Sequence, residues 1–165
     1  MRPALGTIIF ALVVPGTVIV IVPRLLSGWR RAEPFLGWWG VPWIGLALII
    51  VGLPLVGQAM ARFVREGRGT PAPVAPTERL VVTGPYRYVR NPMYIGVLSA
   101  ILGQAFFFGS RTVLIYAASV AAAFHLFVLW YEEPTLRRRF GAEYDAYARE
   151  VHRWRPRVVP WTPDR

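Results

Sequence analysis

The sequence predicts an all-α fold, a polytopic membrane helical bundle of about four transmembrane helices with a C-terminal amphipathic cytoplasmic helix. Apolar residues make up 55% of the 165 residues, and the mean hydropathy is +0.39. These residues also come in blocks close to the length that spans a bilayer core, about 20 residues. We therefore predict one membrane domain rather than a soluble protein.

Composition limits the chemistry that the chain can perform. There is no cysteine, which excludes disulfides and thiolate metal ligands. The two histidines, His125 and His152, are too few to build a metal site, so we predict none. All basic residues are arginine, and the net charge is +10. Because the arginines flank apolar blocks, lipid headgroups and membrane topology explain them better than nucleic acid does.

The first two apolar blocks, residues 5–22 and 41–61, are predicted to be spans. A signal peptide is the alternative for the first block, but no small-residue cleavage site follows it, and we favour a retained helix. The second block contains Gly45, Gly52, Gly57 and Pro54. In a membrane these residues allow close helix packing and a kink.

A polar loop, residues 62–91, separates the second and third blocks, and its proline-rich stretch 70–76 is predicted to be an extended linker. The third span, 92–108, starts at Asn91-Pro92, where Asn caps and Pro suits the first helical position. A tight turn leads to the fourth span, 112–131. The last two spans should therefore form an antiparallel hairpin.

The distribution of arginine predicts the orientation. Arginines are concentrated in the 62–91 loop and in the tail, so both segments and both termini are predicted to be cytoplasmic. We expect a bacterial-type inner, or cytoplasmic, membrane. Arg24, Arg30 and Arg31 in the first loop run against this pattern.

The tail, residues 134–157, has one apolar and one charged helical face, with a break at Gly141. It is predicted to lie on the membrane surface or to cap the bundle. Its apolar face consists of Leu136, Phe140, Tyr144, Tyr147, Val151 and Trp154.

The hairpin should bring two polar stretches to the same depth, Asn91 to Tyr94 beside Tyr131 to Glu133. A helix start offers backbone N–H groups to an anion, and arginine binds carboxylates bidentately. Glu132 and Glu133 can accept hydrogen bonds from an ammonium group or from hydroxyls. Aromatic faces for a cation or a flat ring come from Tyr86, Tyr88, Tyr94, Trp130 and Tyr131. S-adenosylmethionine would use all of these groups, although many nucleotides would also fit.

Three motifs occur in order along the chain, the first two separated by the apolar hairpin. They are Gly84-Pro85-Tyr86-Arg87-Tyr88-Val89-Arg90-Asn91-Pro92-Met93-Tyr94-Ile95-Gly96, Glu132-Glu133-Pro134-x-Leu136 and Phe140-Gly141-x-Glu143-Tyr144-x-x-Tyr147. In this combination, over residues 80–157, the chain resembles the integral-membrane methyltransferases. These include isoprenylcysteine carboxyl methyltransferase and the phospholipid N-methyltransferases.

The resemblance implies an S-adenosylmethionine cofactor bound between the last two spans and the C-terminal segment. By match, the family's first motif falls on Arg90, Asn91, Pro92, Tyr94 and Gly96, and its paired glutamates fall on Glu132 and Glu133. Together with Tyr131, these are the predicted cofactor-binding residues. The family usually has His where this chain has Asn91, so a role that needs a titrating imidazole is not expected there.

The resemblance also implies methyl transfer to a lipid-like acceptor that enters from the bilayer. A carboxylate acceptor would be held by an arginine, and Arg87, Arg153 and Arg155 are candidates. A protonated amine would need a base, which Glu132, Glu133 or Glu143 could provide. The predicted catalytic residues are Arg87, Arg153 and Glu133, and the predicted partners are a lipid-like substrate and membrane lipids.

A non-catalytic membrane bundle, either a scaffold or transporter-like, is the alternative function. Transporters typically show internal repeats and polar residues at mid-membrane. No repeat is evident in this sequence, and the spans carry little polar besides Gln58, Gln104 and His125. The enzyme is therefore the favoured prediction.

Overall fold

The computed structural model describes residues 13–65 and 79–162, except for the side chains at 63 and 64. The predicted linker 70–76 and the first part of the first span, residues 5–12, lie outside these ranges. The helices are α1 (Val13–Ser27), α2 (Val41–Arg65), α3 (Pro92–Phe108), α4 (Arg111–Phe127), α5 (Glu133–Phe140) and α6 (Ala142–Glu150).

The described residues contain helices and connecting segments but no strand, which confirms the all-α membrane bundle. Two helical stretches, Val41–Arg62 and Arg111–Phe140, are long and apolar enough to cross a bilayer, and α1 and α3 are shorter apolar helices. Their assignment as four membrane spans stays a prediction. Helix α1 continues to Ser27 and α2 to Arg65, beyond the predicted ends of the first two spans.

Helices α2 and α3 pack in antiparallel contact through two facing pairs of glycines. A Cβ atom on Gly103 would lie 2.6 Å from the carbonyl oxygen of Gly45, and one on Gly96 would lie 2.8 Å from that of Gly52. The reciprocal positions are equally tight, at 2.5 Å for Gly45 and 2.7 Å for Gly52. Small residues therefore let the two backbones touch, as in membrane helix pairs generally. This contact fixes the start of α3 near the end of α2.

A wide, π-helical turn in α1, Thr17–Ile21, joins that helix to the rest of the bundle. Such turns leave backbone carbonyls free for other partners. Here Gln104 Nε2 donates to the carbonyl of Ile19 at 2.7 Å, and Tyr116 Oη donates to that of Val18 at 3.2 Å. The buried Gln104 is thereby satisfied in an apolar setting.

The α3–α4 turn uses Gly109 at φ +66°, a conformation that favours glycine, and Ser110, whose side chain caps α4 by accepting from the N–H of Val113. The predicted tight turn is confirmed. It reverses the chain, so that the start of α3 and the end of α4 lie at the same end of the bundle.

A separate tail helix was expected to begin at Pro134. In the structure, α4 instead continues into α5 as one helical stretch, Arg111–Phe140. A second π-helical turn, Val128–Glu132, joins α4 directly to α5, and the N–H of Glu133 reaches back five residues to the carbonyl of Val128. Pro134 follows this turn as the second residue of α5. Because the helix is continuous, the missing N–H of Pro134 removes one helical hydrogen bond. The break at Gly141, at φ +51°, is as predicted.

The predicted amphipathic helix over 134–157 is wrong in its last part. Helix α6 ends at Glu150, and residues 151–162 run on without helix. Val151 and Trp154 therefore do not continue a helical face. Main-chain hydrogen bonds to the segment before α3 hold these residues instead.

Candidate active site at the start of helix α3

Asn91 immediately precedes α3, but its side chain does not cap the helix as predicted. Its Nδ2 instead donates to the backbone carbonyl of Arg153 at 3.1 Å, and Asn91 is only 5% exposed. Pro92 follows as the first helical residue and is buried. The first-turn backbone N–H groups of α3 therefore lack a side-chain cap from Asn91 and remain able to bind an anion.

A buried ionic cluster lies beside this helix start, centred on Glu133. Arg153 donates to both carboxylate oxygens of Glu133, from Nε at 2.6 Å and from Nη2 at 2.8 Å. Arg90 Nη1 lies 3.1 Å from Glu133 Oε1 and also donates to the hydroxyl of Tyr144 at 3.1 Å. The two guanidinium groups therefore surround one carboxylate and leave the cluster with a net positive charge.

Arg90 has one donor that this cluster does not use. Among the described residues, its Nε is the buried side-chain nitrogen or oxygen atom that has no hydrogen-bond partner. An unsatisfied donor in a buried position is costly. It therefore marks a place where a ligand acceptor would be stabilised.

Glu132 points to a different partner from its neighbour. Its Oε2 accepts a 2.7 Å hydrogen bond from Tyr94 Oη, one turn into α3. Successive residues on a helix diverge by about 100°, so the two glutamates serve separate contacts. Glu132 faces α3, while Glu133 faces Arg90 and Arg153.

Residues 151–162, which we call the strap, run along the segment before α3. Three main-chain hydrogen bonds join them, from Arg90 to His152 at 3.0 Å, from Arg157 to Tyr88 at 2.8 Å and from Trp161 to Arg87 at 2.9 Å. The side chain of Arg87 also donates to the carbonyl of Trp161, at 2.7 Å. The strap carries Arg153 into the ionic cluster.

An aromatic wall beside Tyr94 was not predicted from the sequence. The Tyr94 ring lies 4.6 Å from that of Phe124 and 6.4 Å from that of Trp154, measured between ring centroids. Trp154 also donates from Nε1 to Nδ1 of His125 at 3.0 Å. A hydrogen bond of His125 within the bundle was expected, but its partner lies in the strap. The contact was not predicted because these residues were predicted to be helical.

Buried tyrosines on α6 and before α3 remain protonated. Burial raises the pKa of Tyr86, Tyr144 and Tyr147 above the ordinary tyrosine range. Tyr147 Oη donates to the backbone carbonyl of Tyr86 at 2.6 Å, which ties α6 to the segment before α3. The hydrogen bond to Glu133 raises the pKa of Arg153, so this guanidinium is charged throughout the physiological range.

The structure brings together most of the predicted site residues. Those that meet at the start of α3 are Arg90, Asn91, Pro92, Tyr94, Glu132, Glu133 and Arg153. Gly96 instead packs against Gly52, and Arg87 binds the strap. Tyr131 is 47% exposed, and its ring packs beside that of Phe127. A cofactor or catalytic role for each of these residues stays a prediction. Within the described ranges, no three His, Asp or Glu side chains are grouped so that they could hold a metal ion.

Curated proteins related to this chain include two kinds. The nickel-cobalt-cadmium resistance protein NccN of Alcaligenes xylosoxydans xylosoxydans is 32% identical over 141 residues, which cover 86% of this chain and 62% of that protein. A probable protein-S-isoprenylcysteine O-methyltransferase of Oryza sativa subsp. indica is 32% identical over 127 residues, covering 70% of this chain and 61% of that protein. The japonica counterpart matches equally.

This chain thus spans about three fifths of the length of these relatives. No solved structure matches it significantly. The family model described as phospholipid methyltransferase matches residues 41–143, from the start of α2 into α6, and includes the start of α3 and both glutamates. The chain therefore belongs to the phospholipid methyltransferase family of integral-membrane proteins.

Proposed function

We propose that this protein is an S-adenosylmethionine-dependent methyltransferase that modifies a lipid-like acceptor, a carboxylate or an amine, at the cytoplasmic face of the membrane. The observation that carries the proposal is the convergence of Tyr94, Glu132 and the Glu133 cluster at the start of α3. Membership of the family and the likeness to a probable isoprenylcysteine O-methyltransferase support it.

The residues present fit the chemistry of the cofactor. The unpaired Nε of Arg90 and the first-turn N–H groups of α3 suit a carboxylate. The carboxylate of Glu132 has a further oxygen, Oε1, that can accept from hydroxyls or from an ammonium group. Rings of Tyr94 and Trp154 offer faces to a planar base or to a sulfonium. When bound, S-adenosylmethionine would supply a methyl group on a positively charged sulfur.

The protein's own residues would then position the acceptor and exclude water. Arg153 donates to Glu133 from Nε and Nη2, so its Nη1 remains to hold an acceptor carboxylate. For an amine acceptor, Glu132 is the better base, because both oxygens of Glu133 are engaged by charged arginines. Tyr94 fixes the position of the Glu132 carboxylate through its 2.7 Å hydrogen bond.

The cytoplasmic placement is supported by charge. The end of the bundle that holds the site also holds Arg62, Arg65, Arg79 and the Arg137–Arg139 run. Lys and Arg are retained preferentially on the cytoplasmic side during insertion. A lipid-like acceptor would reach the site from the bilayer, and a soluble cofactor would reach it from the cytoplasm.

The test is calorimetric binding of S-adenosylmethionine to detergent-purified protein, followed by transfer of a tritiated methyl group. Glu132→Gln should weaken binding about ten- to a hundredfold, since a hydrogen bond to a charged group contributes about 1.5–3 kcal/mol. Arg138→Gln, an exposed change on α5 away from the cluster, is the matched control. Acceptors would be a prenylated cysteine carboxylate and a phosphatidylethanolamine amine.

Saturable binding that Glu132→Gln weakens and Arg138→Gln preserves is the expected result, and the acceptor that gains label fixes the substrate class. If folded wild-type protein does not bind S-adenosylmethionine, the proposal that it is a methyltransferase is refuted. The non-catalytic bundle would then be the remaining function.

A further inference from the structure

The end of the bundle opposite Glu133 contains a cavity of about 470 Å³. It lies between the loop that follows α1 and the α3–α4 turn. Three arginines and one glutamate line it together with two hydroxyls, from Ser27, Arg30, Arg31, Glu33, Ser110 and Arg111. The methyl-transfer chemistry proposed above makes no use of any of these residues.

The walls of this cavity are fastened to each other. The N–H of Ala32 donates to the carbonyl of Phe108 at 2.9 Å. Gly109 approaches the loop so closely that a Cβ atom would lie 2.5 Å from the carbonyl oxygen of Glu33. The Arg31 guanidinium lies over the Phe107 ring, 4.7 Å from its centroid. The loop and its arginines are therefore held against the turn.

Ion pairs within the described part of the chain do not neutralise the positive charge around the cavity. Arg30, Arg31 and Arg111 face a single carboxylate, that of Glu33. Within residues 13–65 and 79–162, none of these three arginines forms an ion pair with a carboxylate. Arginine binds phosphate bidentately and keeps its charge under all physiological conditions.

The cavity also lies at the depth where lipid headgroups are found. Trp38 and Trp39, in the same loop, are 59% and 78% exposed. Exposed tryptophans at the end of membrane helices sit at the headgroup level. In the proposed orientation this is the extracytoplasmic end, where topology disfavours arginine. A topology signal therefore does not explain these residues, and a binding role does.

We propose that this cavity binds the phosphodiester headgroup of an anionic membrane lipid, with Arg30, Arg31 and Arg111 as its cationic contacts. The ligand comes from the leaflet at this end and is separate from any acceptor at the Glu133 end. The site would work as an anchor for one lipid rather than as a reaction centre. It does not depend on methyltransferase activity.

The experiment measures lipid retention by native mass spectrometry on protein purified in detergent, with added phosphatidylglycerol or phosphatidylcholine. The test variant is Arg30→Gln/Arg111→Gln, and the matched control, Arg138→Gln/Arg139→Gln, removes the same charge at the other end. Both pairs are exposed, and thermal melting checks that each variant folds. Each arginine near a membrane surface contributes about 1 kcal/mol of binding free energy. The affinity of the test variant for phosphatidylglycerol should therefore fall about tenfold or more.

The expected pattern is a phosphatidylglycerol adduct on the wild type and the control, with loss confined to the test variant and little phosphatidylcholine bound by any of them. Equal retention of phosphatidylglycerol by the test and control variants would refute the proposed lipid site. Inorganic phosphate provides the second arm. If millimolar phosphate displaces the lipid completely and binds with the same affinity, the ligand is a free anion and the lipid assignment is wrong.

Discussion

Glu133→Gln should destabilise the fold by about 3 kcal/mol. The change keeps the shape of the side chain but removes the charge that Arg90 and Arg153 share. The side chain of Glu133 is 10% exposed, and those of Arg90 and Arg153 are 12% and 30% exposed. Removing one partner from a buried ion pair typically costs about 3–5 kcal/mol. The lower end applies because water still reaches Arg153.

Reversible unfolding in mixed micelles of dodecyl maltoside and sodium dodecyl sulfate, followed by circular dichroism, would measure this change. The control is Glu150→Gln, which breaks the pair with Arg157. The Glu150 side chain is 58% exposed, so its loss should change stability by at most about 1 kcal/mol. If Glu133→Gln costs no more than the control, the Glu133 cluster does not stabilise the fold and our reasoning fails.

Three other changes test other parts of the molecule. Tyr94→Phe removes the 2.7 Å hydrogen bond to a carboxylate, so it should lower tritium methyl transfer about tenfold or more and destabilise the fold by about 1–3 kcal/mol. Unchanged transfer would contradict the role of this pair. Gly103→Ala would place a Cβ atom 2.6 Å from a backbone oxygen of α2 and should destabilise the fold by about 1–3 kcal/mol. Gly57→Ala should not, because its Cβ atom would have no atom of another element within 4 Å. Equal effects in the micelle assay would contradict the close contact. Trp154→Phe should speed hydrogen exchange at the strap, because the bond to His125 is lost; unchanged exchange would show that this bond does not hold the strap.

The hairpin and the depth of the candidate site could be predicted because local signals and topology agree. Asn91-Pro92 and Gly109-Ser110 mark the ends of α3 strongly. Once α3 and α4 are antiparallel, Tyr94 and Glu132 must lie at one depth. The sequence predicted this shared depth, and the hydrogen bond between the two side chains is seen only in the structure.

The strap could not be predicted in the same way. Val151 and Trp154 continue the apolar period of α6, so periodicity favours more helix. In the structure, tertiary hydrogen bonds to Tyr88 and Arg90 outweigh that local preference. The capping prediction for Asn91 failed for the same reason, since its side chain binds the strap rather than its own helix.

The π-helical turns also escape sequence reasoning. The extra residue in the π-helical turn Val128–Glu132 rotates the side chains of Glu132 and Glu133 about the helix axis relative to those of α4. The amino-acid composition of the turn does not indicate this change. Pro134 is the one signal, because a proline tolerated inside a continuous helix requires some adjustment of the hydrogen bonds before it. The sequence alone suggested a helix start there instead.

The strap has a consequence for the order in which the protein is made. A ribosome adds about 5–20 residues per second and the N-terminal parts of a chain fold first, so α2 and α3 are synthesised before residues 151–162 exist. Until those residues emerge, Glu133 lacks its bidentate partner Arg153, and Asn91 lacks the carbonyl it binds. The candidate site is therefore among the last parts of the described fold to assemble, and a chain that stalls before the strap would insert in the membrane with that site incomplete.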